Sequence, residues 1–293
     1  MSELPPDLVR TLLTVVDAGT FDAAAALLHV TPSAVSQRVK ALEQRAGRVL
    51  VTRSKPVRAT ASGEVVVRHA RQVAALDHAL RMELGLAEAG AARLSIAVNA
   101  DSLATWFLPA LVEVPREPLI RFELHREDEA HTAALLREGR VMAAVTSAAE
   151  AVAGCTVRGL GRARYLPVST PDFAARYLVG GSLVERLEDA PVVAFDQRDL
   201  LQDEFVRSLG GSGASSARHL VPSSEGFRDS VAAGLGWGLV PEAHAVGLSG
   251  VEVVVPGAYV DVPLYWQQWK LDVPALSVVA AVVGVAAAAA LYQ

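Results

Sequence analysis

The residue types best suited to reading a nucleic acid fall on one short stretch. Val30-Thr31-Pro32 reads as turn, N-cap and first helical residue, because proline at that position forfeits no hydrogen bond. At 100° per residue along the helix that follows, Val35, Val39 and Leu42 share one side. Ser33, Gln37, Lys40 and Gln44 share the other, with Ser36 at its edge. Hydroxyls and amides can bond base edges, and a lysine among them meets phosphate or guanine. The first turn, from Thr31 to Gln37, also offers free backbone N–H groups to a phosphate. Two short β-like runs, Val49–Arg53 and Pro56–Thr60, then surround Ser54-Lys55 and read as a wing. Arg53, Lys55 and Arg58 would point from it to backbone or minor groove. A small structural helical bundle remains the alternative.

The elements around this helix fit a helix-turn-helix. Leu8, Leu12, Leu13, Val15 and Val16 have helical spacing up to Gly19, and Thr20 can cap a short helix through Phe21, Ala24, Leu27 and Leu28. The recognition helix runs from Pro32 to about Ala46 and stops at Gly47. Charge agrees: between Arg38 and Arg58 lie seven basic residues and one acid, Glu43. The chain of 293 residues carries −5 overall, but residues 1–63 carry +3 and the remainder −8. A basic head thus precedes an acidic body, and the average conceals it.

From Ser62 to about Leu86 the spacing predicts one long helix. Val66, Val73, Leu76 and Leu80 suit a coiled-coil seam, or else an amphipathic helix packed on the body. Residues 85–93 read as a hinge. Beyond them strand and helix patterns alternate: Leu94–Val98, Ser102–Val112, Leu119–Leu124, Ala130–Arg137 and Val141–Thr146. A second series follows, with strands at Tyr165–Ser169, Val192–Phe195 and Trp237–Val240 and helices at Pro171–Leu178, Asp199–Ser208 and Ser224–Gly234. Pro263–Trp269 is a last strand before a final helix. This pattern predicts two α/β lobes, a largely parallel sheet, and a cleft for a small ligand.

Several chemistries find no support. The histidines show no metal-ligand spacing, the lone Cys155 excludes an internal disulfide and fits a reducing cytosol, and no P-loop or G-x-S-x-G elbow occurs. Gly234-Leu-Gly236-Trp-Gly238 lacks a third glycine at the right spacing and a strand directly before it, so it is no dinucleotide fingerprint. The opening MSELPPDLVR has no basic, apolar signal pattern. Mean hydropathy is +0.31, and Val273–Leu291 holds no charge. Pro274, Ser277, Gly284 and abundant alanine argue against an anchor, so a helix packed on the first lobe or at a subunit interface is expected.

The run GTFDAAAALLHVTPSAVSQRVKALEQRAG followed by VLVTRSKPVRATASG resembles the winged helix-turn-helix of LysR-type transcriptional regulators. The body resembles that family's two-lobed effector domain, a type II periplasmic-binding-protein fold. IAVNADSLATWFLPAL, MAAVTS, GLGRARYLPVSTPDF, VPSSEGFRDSVAAGLGWGLVPE and PLYWQQWKLDVP are similar to the LysG/ArgP branch, whose members sense lysine or arginine and control an amino-acid exporter gene.

The resemblance implies an all-α winged head at 1–61, a dimerising linker helix and hinge at 62–90, and an α/β effector domain at 91–293. Lobe I would hold about 91–164 and 265–293, lobe II about 165–264. It carries Ser33, Ser36, Gln37, Arg38 and Lys40 onto the recognition helix and Arg53 onto the wing, although Val51 stands where a phenylalanine is common. The expected partners are double-stranded DNA with dyad symmetry, RNA polymerase and a second copy of the chain, as a homodimer or dimer of dimers. The expected location is the cytoplasm, with no membrane partner. No cofactor and no catalysis are expected beyond an effector, L-lysine or L-arginine.

A zwitterion with a cationic tail needs donors for its carboxylate and acceptors for its nitrogens. Ser102 at a helix start and Thr146/Ser147 at a strand end suit the former. Asp101, Asp196 and Glu225 suit the latter, Trp106 and Trp237 would flank the aliphatic stem, and Asn99 and Ser223 would face the cleft. Each also fits a plain cap or core role. A ligand-independent architectural protein, in the form of a replication-origin-binding inhibitor, is the alternative function.

Overall fold

The computed structural model describes residues 4–52, 54–86, 92–117, 119–126 and 129–293, with side chains for all of these but 129–131. Its head follows from apolar spacing closed by left-handed residues. Helix α1 (Pro6–Ala18) buries Leu8, Val9, Leu12 and Val15 and stops at Gly19, whose φ is 70°. Thr20 caps α2 (Phe21–Leu28), its hydroxyl accepting from the Ala23 N–H at 3.1 Å. Thr31 caps α3 (Pro32–Ala46) in the same way through Ala34, at 3.2 Å.

Strands β1 (Val51–Thr52) and β2 (Arg58–Ala59) form an antiparallel wing shorter than the runs expected from sequence. The reason is local. The Leu50 N–H donates to Glu43 Oε1 at 2.8 Å and the Thr60 hydroxyl to the Val49 carbonyl at 2.7 Å, so side chains take the bonds a longer ladder would use. Helix α4 (Ala61–Glu83) starts against this wing. A Cβ on Gly63 would lie 1.9 Å from the Leu50 carbonyl oxygen, so only glycine lets the two backbones approach.

Helix α4 buries Val67 and Ala70 in the head core and also touches the body. Arg71 pairs with Asp17 of α1, and its Nη1 donates to the Glu138 carbonyl at 2.8 Å. Val73, Leu76 and Leu80 lie exposed along α4, whereas Val66 packs against the head core and leaves the expected seam.

The body begins with β3 (Ala92–Val98), then α5 (Ala100–Ser102), a π-helical turn (Leu103–Phe107) and α6 (Leu108–Val112), in one continuous helical run. Strand β4 (Ile120–Arg126), α7 (Glu129–Glu138) and β5 (Ala143–Thr146) complete the first α/β series. The long β6 (Cys155–Ser169) leads into the second lobe. There α8 (Pro171–Tyr177), α9 (Leu183–Asp189), β7 (Val192–Ala194), α10 (Leu201–Ser208), β8 (Arg218–Leu220), α11 (Ser224–Ala232), β9 (Gly238–Pro241), α12 (Glu242–Ala245) and β10 (Glu252–Val253) follow. Strand β11 (Val260–Trp269) returns to the first lobe and ends in α13 (Pro274–Ala290).

The main sheet has the order β10-β6-β11-β5-β3-β4, with β9 also on β6. It is mixed, which corrects the expectation of a largely parallel sheet. Only β3/β4 and β3/β5 within it are parallel, as is the separate pair β7/β8. Strands β6 and β11 run antiparallel through both lobes, from Val260 opposite Tyr165 to Trp269 opposite Cys155. The first ten residues of β6 escaped the sequence pattern because Gly159, Gly161 and three arginines break its apolar alternation.

Helix α13 buries Leu276, Val279, Val283 and Ala287 against the first lobe, while Val285 on its far side is 74% exposed. No helix among the described residues is long and apolar enough to cross a membrane.

Candidate nucleic-acid interface and ligand cleft

In the head, the two sides of α3 separate as its periodicity demands. Val35, Val39 and Leu42 are at most 3% exposed. Thr31, Ser33, Gln37 and Lys40 are exposed, and Ser36 and Arg38 are half-buried at the flank. Burial on one side fixes the helix, and the other presents hydroxyl, amide and ammonium groups to solvent. Lys55 and Arg58 are exposed on the wing, where the Ser54 hydroxyl donates to the Pro56 carbonyl at 2.8 Å and holds the turn. Arg53 lies outside the described residues. A polar helix face with a cationic wing beside it is the geometry that enters a major groove and grips phosphates.

In the body, β3 delivers Asn99 and Asp101 to the start of the helical run, where Ser102 is buried. Asp101 joins both lobes. Its Oδ1 accepts from the Ser224 hydroxyl at 2.5 Å, at the start of α11, and its Oδ2 accepts from the Tyr165 hydroxyl at 2.7 Å, on β6. Nearby in sequence, Asn99 Oδ1 and Trp106 Nε1 are buried without a protein partner. Such groups cost free energy unless something else satisfies them. Trp106 belongs to the π-helical turn, a distortion that recurs at functional sites. At the end of β4, Arg126 Nη1 donates to the Pro222 carbonyl of the second lobe at 3.1 Å.

Thr146 is buried at the end of β5, and its hydroxyl accepts from the Ala148 N–H at 3.2 Å, with half-buried Ser147 between them. Gln267 on β11 fixes that loop. Its Nε2 donates to the Ala148 and Glu150 carbonyls, and its Oε1 accepts from the Val152 N–H. Ser223 caps α11 by accepting from the Gly226 N–H at 3.2 Å, and its hydroxyl also contacts exposed Glu225.

Two expected cleft residues are placed otherwise. Trp237 is fully buried in the second-lobe core, its ring 6.1 Å from that of Phe205, so it packs rather than flanks a ligand stem. Asp196 turns its Oδ1 onto the N–H groups of Arg198 and Asp199 at 2.6 and 3.1 Å and stabilises its own turn. Gly236 and Gly238 serve close packing: a Cβ would lie 2.8 Å from the Pro191 carbonyl oxygen in one case and from the Phe227 ring in the other.

Tyr165, Ser224, Arg126 and Gln267 were missed from sequence. Ser224 had a signal, a hydroxyl at a helix start, but its partner lies 123 positions away. Away from the cleft, burial works against the charge of Asp203, yet the hydrogen bond and charge of Arg218 at 2.7 Å hold its carboxyl below the usual range.

A helix-turn-helix head joined through one long helix to a two-lobed body defines a ligand-responsive DNA-binding regulator. Residues 6–64 match the bacterial regulatory helix-turn-helix protein of the lysR family, and residues 87–285 match the LysR substrate binding domain. The chain belongs to the LysR family of transcriptional regulators.

It is 46% identical over 265 residues to the lysine export transcriptional regulatory protein LysG of Corynebacterium efficiens, covering 89% of this chain and 90% of that one. Among solved structures it is similar to ArgP from Mycobacterium tuberculosis, with a TM-score of 0.92 and 43% identity, covering 99% of each chain. It is also similar to full-length LysG from Corynebacterium glutamicum with bound effector Arg. There the TM-score is 0.84 and the identity 40%, covering 99% of this chain and 100% of that one.

Proposed function

We propose that this regulator senses a basic amino acid, L-lysine or L-arginine, in the cleft between its lobes and controls an amino-acid exporter gene. It acts as a regulator and not an enzyme, in the cytoplasm, and needs no cofactor besides the effector. The observation that carries the ligand reading is Asp101, a carboxylate at a helix start that bonds to both lobes at once. An ammonium or guanidinium entering beside it finds an anion already oriented. Asn99, Ser102, Trp106, Thr146 and Ser147 line the first-lobe side, and Ser223 and Glu225 the second. The kinship with an arginine-bound LysG supports the same class of ligand.

Thr31, Ser33, Ser36, Gln37, Arg38 and Lys40 contact double-stranded DNA, with Arg53, Lys55 and Arg58 on the adjoining backbone or minor groove. The exposed row Val73, Leu76 and Leu80 on α4 pairs with a second copy, so that two heads meet a dyad-symmetric operator. The domain division is a head at 1–61, a linker at 62–90 and an effector domain at 91–293. Effector closing the cleft shifts the relative placement of the heads, and with it DNA bending and contact with RNA polymerase, by its differential affinity for the two forms.

Calorimetry of the full-length chain against each amino acid, paired with footprints on its upstream intergenic DNA, tests the reading. Selective binding of lysine or arginine with a changed footprint supports it. Ligand-blind binding to AT-rich DNA would return the architectural role.

A further inference from the structure

Beyond α13 the chain folds back onto the crossing strand β6. The Arg162 N–H donates to the Tyr292 carbonyl at 2.7 Å, and the Tyr292 N–H to the Arg162 carbonyl at 3.0 Å. Gly161, at φ 132°, makes the approach possible, because a Cβ would lie 2.7 Å from the Tyr292 carbonyl oxygen. The contact falls where the β6/β11 register shifts, with Leu264 opposite Gly161 and Tyr265 opposite Gly159. Leu160 of β6 is the extra residue at that shift, and such a bulge bends its strand between the lobes.

The Tyr292 side chain continues into the second lobe. Its hydroxyl donates to Glu242 Oε2 of α12 at 2.5 Å. Its ring centroid lies 3.7 Å from the Arg164 guanidinium carbon, and that of Tyr259 lies 3.7 Å from the same carbon, so the guanidinium is held between two rings. Asp261 pins Arg164 from the side with bonds of 2.8 and 3.0 Å. Helix α13 packs on the first lobe, whereas Glu242 and Tyr259 belong to the second. Adjacent strand residues face opposite ways. Tyr165 therefore reaches Asp101 in the cleft while Arg164 meets Tyr292 behind it.

We propose that Tyr292 is a latch across the back of the inter-lobe hinge, holding the cleft in the closed arrangement in which Asp101 meets Ser224 and Arg126 meets Pro222. Because the pivot lies between the cleft and Tyr292, opening the cleft drives α12 and Tyr259 toward α13. The Tyr292 ring, stacked on Arg164 and bonded to Glu242, stands in the way of that motion. The latch thus sets the fraction of molecules competent to bind effector, and apparent affinity scales with that fraction.

The consequence for affinity rests on the ligand-sensing reading, whereas the hinge contact does not. Two full-length variants test both. Tyr292→Phe keeps the ring over Arg164 and removes the bond to Glu242, and Tyr292→Ala removes both. Amide hydrogen exchange without ligand is expected to rise about tenfold in 159–166 and 238–246 for Tyr292→Ala, less for Tyr292→Phe, with β3 and β5 unchanged.

Calorimetry with L-arginine and L-lysine is expected to show affinity weakened roughly three- to tenfold in Tyr292→Ala and by a smaller factor in Tyr292→Phe. Wild-type exchange in Tyr292→Ala, or exchange raised equally through α13 and β3, overturns the latch. So does unchanged affinity in Tyr292→Ala when the wild type binds. If the unmodified protein binds neither amino acid, the effector reading falls and the exchange pattern alone decides the latch.

Discussion

The recognition helix and the ligand cleft solve opposite problems. On α3 the polar groups stand exposed, and the apolar residues behind them, Val35, Val39 and Leu42, belong to the buried core. At the candidate cleft, Ser102, Thr146 and Ser224 are buried, and half-buried Asp101 is bonded across the lobes to Ser224 and Tyr165. A polyanion is gripped by exposed charges at a salt-dependent cost. A single small molecule is selected by buried groups that lose a partner when the wrong one enters. The two regions should therefore respond differently to mutation.

The largest effect is expected at Asp101. Asp101→Ala removes an oriented anion and should weaken arginine or lysine binding by about 2–5 kcal/mol, with DNA affinity in the absence of ligand retained. Calorimetry checks the first and gel shift the second, and an unaltered affinity would dissolve the contrast between the regions. Leu42→Ala probes the opposite end. It should cost the head about 2–5 kcal/mol of stability and leave effector affinity alone, which denaturation followed in the presence and absence of ligand would reveal.

Ser224→Ala removes one charged hydrogen bond between the lobes and should cost about 1.5 kcal/mol, near tenfold in effector affinity. A loss of DNA binding instead would mean that the cleft contact serves the head. Lys40→Ala should weaken DNA binding modestly and lower the salt slope by about one if the ammonium neutralises one phosphate. A slope equal to the wild type would assign Lys40 to base contact.

The smallest effect concerns Asp203, far from both regions. Its folded-state carboxyl lies below the ordinary range because Arg218 outweighs burial. The stability it contributes is present above the ordinary carboxylate value of about 4 and is lost as pH falls through the folded value. Acid titration of melting temperature should separate the wild type from Asp203→Asn above that range and bring them together below it.

Legibility differed for the same physical reason. Every feature of α3 is a short-range matter: Thr31 caps through Ala34, Pro32 opens the helix, Gly47 closes it, and one periodicity sorts both faces. The cleft depends on pairs far apart in sequence. Asp101 could be singled out as an acid at a strand–helix junction, but Tyr165 was only the first residue of a strand pattern and Arg126 only a cation beside an acidic run. Trp237 looked like a ligand-flanking aromatic until packing against Phe205 placed it in the core. Asp196 had the right position and charge, yet its own backbone claims its oxygen.

The exposed far side of α13 and the exposed row on α4 show the same division. The apolar spacing of α4 and the uncharged stretch of α13 were both readable from sequence. Which residues turn inward needed the fold: Val66 joins the head core, and Leu276, Val279 and Val283 the first lobe.

The sequence by itself determined the head, the basic stretch, the long linker helix and the two-lobed α/β class, because caps, helical period and turn glycines act within a few residues of one another. Only the tertiary structure decided that the sheet is mixed, that β6 and β11 span both lobes, and that Asp101 and Tyr292 each bond from one lobe to the other. Those contacts join residues 64 to 123 positions apart at Asp101 and 50 apart at Tyr292 and Glu242. No local pattern encodes such pairs, because they exist only once both lobes have packed on the crossing strands.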